Sequence, residues 1–230
     1  MESMALKNIE NIQSSIEVKR ERSRKEIMAA SLELFYEKGY QKTTTRDIIK
    51  KAGILNGSLY NRFKSKEEIL LNIVIDALKN TLDECEKVLE NEKSPIIAAV
   101  LPGALEVSVS SKDRKTADLI YEVHRLWSAI DEYTKMNIEW FSNYMEKYGV
   151  KFADMQDAEL KILTFLGAIG NICGYYANGG TEDCRTIFRY MVMYMGMLLG
   201  MPVLDLDKTV ERLTEIVEVS GMTIMKKEPE

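Results

Sequence analysis

The chain has 230 residues, 46% of them hydrophobic and 29% charged, and a formal net charge of −5. That is enough apolar sequence for a real core in one or two domains, and too much for a disordered chain. Four prolines and 13 glycines leave little turn material for a sandwich or barrel, while three scattered cysteines and a single histidine exclude a disulfide framework, a clustered zinc site and most nucleophile–base arrangements.

From the N-terminus, Met1–Val18 is weakly amphipathic and reads as an arm or a marginal helix. Lys19–Gly39 is a clear helix: Ile27, Ala30, Leu34 and Phe35 fall on one stripe, and Gly39 stands where a C-terminal cap is wanted. Thr43-Thr44-Thr45 follows, and Asp47 three residues after Thr44 makes a capping box for a short helix ending at Gly53. A second short helix is expected over about Asn56–Lys64, with Leu59 and Phe63 facing inward. Ser65 with Glu68 opens a long helix to about Asn91. Two short helices around a Gly-containing turn, with a supporting helix before them, describe a helix-turn-helix. Its second helix offers Gly57, Ser58, Asn61 and Arg62 outward, small or hydrogen-bonding groups suited to base edges.

The helical pattern continues. Ser94 caps Pro95 for a helix to about Val109, which Pro102 is positioned to kink. Asp113–Gly149 holds one very long or two consecutive helices, rich in aromatics that include Tyr121, Trp127, Tyr133 and Tyr144. Asp157–Asn178 is apolar nearly all round and ends at Gly179-Gly180. Its longest apolar run, Ile162–Ala177, is 16 residues and contains Asn171, short for a spanning helix and better explained by burial in protein. A helix that starts at Thr181 or Asp183 and runs to Gly200, with Pro202 as the stop, and Leu206–Val219 complete the set before a charged tail. No apolar signal segment follows the N-terminus, so a cytoplasmic chain with no membrane partner is expected.

Charge divides along the chain. Residues 1–66 carry 14 Lys+Arg against 8 Asp+Glu, a net of +6, whereas residues 67–230 carry 17 against 28, a net of −11. Within the first part, Lys38–Lys66 has eight basic residues and only Asp47 acidic. A basic module on an acidic body points to an anionic partner at one end, nucleic acid before membrane.

Residues 27–70 resemble the TetR family of bacterial transcriptional regulators. The match rests on Leu34-Phe35, Gly39-Tyr40, Thr44, Arg46-Asp47-Ile48, Ala52-Gly53-Ile54, Gly57, Leu59-Tyr60, Phe63 and Ser65-Lys66-Glu67, in order and without gaps, over about a fifth of the chain. The resemblance implies a homodimer that binds a palindromic operator on double-stranded DNA, usually as a repressor, and is released by a small ligand in the C-terminal domain. Leu55 and Asn56 depart from the family pattern, which commonly has serine and lysine there. Leu55 offers no cap acceptor, so Asn56 is the candidate cap of the recognition helix.

The expectation is therefore an all-α chain with an N-terminal three-helix DNA-binding domain over residues 1–66 and a helical ligand-binding and dimerisation domain over 67–230. The candidate DNA-binding residues are Thr43, Thr44, Thr45, Arg46, Asn56, Gly57, Ser58, Tyr60, Asn61, Arg62 and Lys66. Thr44, Tyr60 and Lys66 carry donors suited to phosphate; the plainer readings are a helix cap for Thr44 and packing under Phe35 for Tyr60. Arg20, Arg22 and Arg24 are either a basic arm for the minor groove or solvated charge.

For the effector, described only as apolar or aromatic, Tyr121, His124, Trp127 and Tyr144 are the candidate contacts, with a satisfied core imidazole as the plainer account of His124. Gly167, Gly170 and Gly174 form one small-residue face that, with Met191 and Met195, suits either a two-chain helical interface or close packing within one chain. No cofactor and no metal is called for. The alternatives are a DNA-binding regulator without a small-molecule ligand and, from another class, an enzyme using the C-terminal interior.

Overall fold

The structure is a computed structural model that describes residues 2–146 and 154–220, with side chains described from residue 17 onward. Its described residues form ten helices and no strand. The chain divides into two compact units, 1–73 and 74–230.

In the first unit, α1 (Glu2–Lys38) leads to α2 (Thr45–Ala52), α3 (Asn56–Tyr60) and the start of α4 (Lys66–Val88). The backbone is helical from Glu2, so α1 takes in the segment read as an arm. Side chains 1–16 lie outside the described residues. The expected stripe is the core: Ile27, Leu34 and Phe35 are buried with Ile48, Leu59, Phe63, Ile69 and Leu70. Phe35 packs edge-on against Tyr40.

α2 begins with the reciprocal box its sequence predicts. Thr44 Oγ1 accepts from Asp47 N at 3.2 Å, and Asp47 Oδ2 accepts from Thr44 N at 3.0 Å. It ends at Gly53, whose φ of +64° is left-handed and lets its N–H reach the Ile49 and Lys50 carbonyls. α3 is shorter than its hydrophobic pattern suggests, closing at Tyr60. Asn56 is its first helical residue rather than its cap. The capping position is Leu55, which is 80% exposed and has no side-chain oxygen to offer.

The second unit comprises the rest of α4, α5 (Pro95–Lys112), α6 (Arg114–His124), α7 (Trp127–Glu146), α8 (Met155–Ala177), α9 (Cys184–Leu199) and α10 (Leu206–Ser220). Ser94 caps α5, Asp113 caps α6, Asp154 caps α8 and Asp183 caps α9, each accepting a first-turn N–H that the helix itself leaves free. The expected 113–149 segment is two helices that break at Arg125-Leu126; its expected end at Gly149 and the charged tail after Ser220 lie outside the described residues.

α5 is the central element. Its residues from Ile96 to Val107, Ala99 apart, are buried, and it packs against α6, α8, α9 and α10. α8 packs on α6 and α7. By length and composition α8 alone among the described helices is apolar enough to cross a membrane, yet Phe165, Leu166, Ile169, Cys173 and Tyr176 are buried within this unit. Glycines permit the close approaches: a methyl group on Gly103 would lie 2.3 Å from Ile169 Cδ1, and one on Gly170 would lie 2.6 Å from His124 Cβ.

Candidate nucleic-acid interface and C-terminal interior

In the first unit, α2 and α3 present Thr44, Arg46, Asn56, Gly57, Tyr60 and Asn61 as exposed residues, with Thr45 and Ser58 partly so. Nothing stands within 4 Å of where a Cβ on Gly57 would be, so the start of α3 is sterically open. Tyr60 is 51% exposed, and its hydroxyl lies 3.4 Å from Thr45 Oγ1. It is not the ring under Phe35; Tyr40 fills that place.

Three of the expected DNA contacts have other surroundings. Thr43 is 2% exposed, and its Oγ1 lies 2.9 Å from the Gly39 carbonyl and 3.2 Å from the Leu34 carbonyl, so it ties the turn to α1. Lys66 Nζ donates to the Tyr40 carbonyl at 2.7 Å and the Thr43 carbonyl at 2.9 Å, and sits 4.2 Å from the centre of the Tyr40 ring. An ammonium has three protons, so two are spent inside the fold. Arg62 is half-buried, with its Nε enclosed and unpartnered.

Asp47 lies at the rim of this surface. Hydrogen bonds from Thr44, backbone and side chain, and then from Lys38 hold its carboxyl down at about 2. Arg22 pairs with Glu26, and Arg24 pairs with Glu21 and reaches Asn72 and the Phe63 ring, so these arginines are engaged along α1 and α4.

In the second unit the four expected ligand residues do not converge. Trp127 is 69% exposed at the start of α7. Tyr144 is buried and donates to the Glu92 carbonyl at 2.9 Å. Tyr121 packs against Gly174 and borders an open polar groove with Asn171, Tyr175 and Asn178. His124 also faces inward, but toward α5. Its side chain is 2% exposed, and its Nε2 lies 2.8 Å from Glu106 Oε2.

Glu106 is the residue that reading the sequence missed. It is buried on α5 and hydrogen-bonds Tyr133 as well as His124. Burial, and then the Glu106 charge, hold the Tyr133 hydroxyl protonated well above its ordinary range. A signal was present: Glu106 is the only charged residue between Pro95 and Ser111, an otherwise apolar or neutral stretch. Burial likewise pushes the Cys173 thiol up to about 12, and Cys184 donates to Ser111 Oγ at 2.8 Å.

The proposed dimer residues also find partners in their own chain. Gly170 and Gly174 face His124 and Tyr121 of α6, and Met191 and Met195 are buried. Only Gly167 of that set is open, with nothing within 4 Å of a Cβ position. The large apolar side chains that α8 and α9 expose are Met155, Leu160, Tyr175, Tyr190, Met193 and Met197.

Among the described residues, the capped α2, the turn at Gly53 and α3, supported by α1, have the architecture of a helix-turn-helix. Residues 27–73 match the family model of bacterial regulatory proteins, tetR family. The chain is 32% identical over 97 residues to the HTH-type transcriptional repressor KstR2 of Mycolicibacterium smegmatis, covering 42% of this chain and 46% of that protein. It therefore spans less than half the length of that relative. It is 22% identical over 138 residues to the fatty acid metabolism regulator protein of Bacillus subtilis, covering 59% of this chain and 70% of that one. Among solved structures, RolR in complex with resorcinol shares the fold with a TM-score of 0.59 at 17% identity, over 92% of this chain and all of that chain.

Proposed function

We propose that this protein is a dimeric transcriptional repressor whose helix-turn-helix reads a palindromic operator and whose C-terminal unit binds a small apolar or aromatic effector that releases the DNA. The observation that carries the reading is the exposed polar edge of α2 and α3, where Arg46, Asn56, Gly57 and Asn61 stand clear of the core. Those are groups that reach base edges or phosphates in a major groove. The surrounding Lys38–Lys66 segment, with eight basic residues against one acidic, supplies the attraction to the duplex.

Dimerisation is supported by the α8–α9 surface, where Tyr190, Met193 and Met197 are exposed at helical spacing. Two recognition helices must meet half-sites about 34–36 Å apart, so an effector that changes their spacing by a few ångströms weakens simultaneous docking. A second reading, regulation without a small molecule, is favoured by one observation: the enclosed space beside Glu106 is only about 20 Å³.

The test begins with selection of the bound sequence from random duplexes, followed by anisotropy titration. Asn61→Ala is expected to weaken the selected operator by about 1–3 kcal/mol and to spare random DNA. Equal loss on both makes Asn61 a phosphate contact, and no preference for any duplex rejects the regulator reading.

A further inference from the structure

The C-terminal interior is mostly apolar, and Glu106 is one of two glutamates buried in it, with Glu122. Between α4, α5, α7 and α8 lies a small cavity walled by Leu78, Pro102, Phe165 and Ile169, and its polar wall residues are Glu106 and Asn137. The carboxylate of Glu106 is surrounded by groups that donate to it: Nε2 of His124 at 2.8 Å and the hydroxyl of Tyr133. A carboxylate has about four lone-pair sites, so two donors leave acceptor capacity unspent. Asn137 spends an amide proton on the Tyr133 carbonyl at 2.8 Å, and its side-chain oxygen is a further acceptor.

An apolar chamber with a few placed polar groups is the usual design of a small-molecule site. Here the placed groups accept, and one of them carries negative charge. A buried carboxylate rewards an O–H or N–H donor with a charge-assisted hydrogen bond and repels a second carboxylate at close range. We propose that Glu106 is the recognition group for the effector, which is an apolar or aromatic molecule bearing a hydroxyl or amine donor and not a carboxylic acid. This rests on the reading of the C-terminal unit as effector-binding and adds the chemistry of the head group. The enclosed space of about 20 Å³ holds roughly one water, so a ring enters by moving the α8 side chains Phe165 and Ile169 away from α5. Those contacts are apolar on both sides, which leaves Glu106 as the directional one.

The full-length protein should be titrated by calorimetry with three probes of one shape: 4-ethylphenol, ethylbenzene and 4-ethylbenzoate. The phenol is expected to bind at least about tenfold tighter than ethylbenzene, as one hydrogen bond to a charged group implies, and the benzoate not measurably. Glu106→Gln is expected to bring the phenol down to the level of ethylbenzene while leaving ethylbenzene unchanged. The wild-type series stands alone if that variant fails to fold. Equal affinity for phenol and ethylbenzene, preference for the benzoate, or binding of none of the three overturns the proposal. Operator release separates the two readings. Glu106-dependent phenol binding that never affects DNA affinity sinks the effector reading and keeps the site, whereas release of DNA by a carboxylic acid does the reverse.

Discussion

Lys66 shows how one side chain can be claimed by two roles. Its position at the start of α4 suits a phosphate contact, but its ammonium bridges the Tyr40 and Thr43 carbonyls and lies over the Tyr40 ring. Truncating a charged donor that joins two partly buried carbonyls costs about 1–3 kcal/mol. Lys66→Ala is therefore expected to lower the unfolding free energy of the N-terminal unit, read from urea denaturation, by that much. If stability is unchanged and the slope of log K against log[salt] on DNA falls by about 0.9, Lys66 belongs with the phosphate contacts instead. Asp47 makes a pH prediction. Its folded value of about 2 lies below the ordinary 3.8, so its contribution is fully present above about pH 4 and is lost as pH falls through about 2. Unfolding titrations between pH 5 and 2, read against Asp47→Asn, should show the wild type losing stability in that window while the variant loses less.

At the scale of the element, α2 and α3 differ in how they begin. Thr44 and Asp47 close a complete capping box on α2, whereas the capping position of α3, Leu55, has no side-chain acceptor. A five-residue helix without a cap draws its order from Leu59 and the turns around it. Leu55→Ser supplies the missing oxygen to the first-turn N–H groups and is expected to stabilise the unit by about 1 kcal/mol. Chemical denaturation monitored by circular dichroism checks it; a Leu55→Ser variant no more stable than wild type shows the α3 N–H groups already satisfied by water. The capped helices were legible in the sequence because a cap is a local pattern. The end of α3 was not, because Leu59 and Phe63 share an i, i+4 face whether or not the chain between them stays helical.

On the scale of the molecule, the glycine face of α8 separates assembly from folding. Gly170 and Gly174 are spent on contact with α6, where a methyl group would lie 2.6 Å from His124 Cβ and 2.8 Å from Tyr121 Cε2. Gly170→Ala is thus expected to destabilise the C-terminal unit. Met193 is exposed on α9, so Met193→Glu should leave the unfolding midpoint near wild type and convert the proposed dimer to monomer. Sedimentation velocity of both variants distinguishes the cases; an intact Met193→Glu dimer moves the interface off this face.

By itself, the sequence determined the helical class, the position of the helix-turn-helix and most helix starts, because caps, turns and hydrophobic period are properties of residues close together in the chain. It also located the excess of basic residues in the N-terminal part, since charge is read by counting. Tertiary structure decided which side of each amphipathic or small-residue helix meets which neighbour. Thr43 and Lys66 turned inward because α1 and the α1–α2 turn offer them carbonyls, Gly170 and Gly174 met α6, and Trp127 stayed exposed while Tyr133 and Tyr144 were buried. The pairing of Glu106 with His124 joins residues 18 apart on two helices, a contact no local period encodes. Burial of a charge becomes affordable only once such partners arrive from elsewhere in the chain.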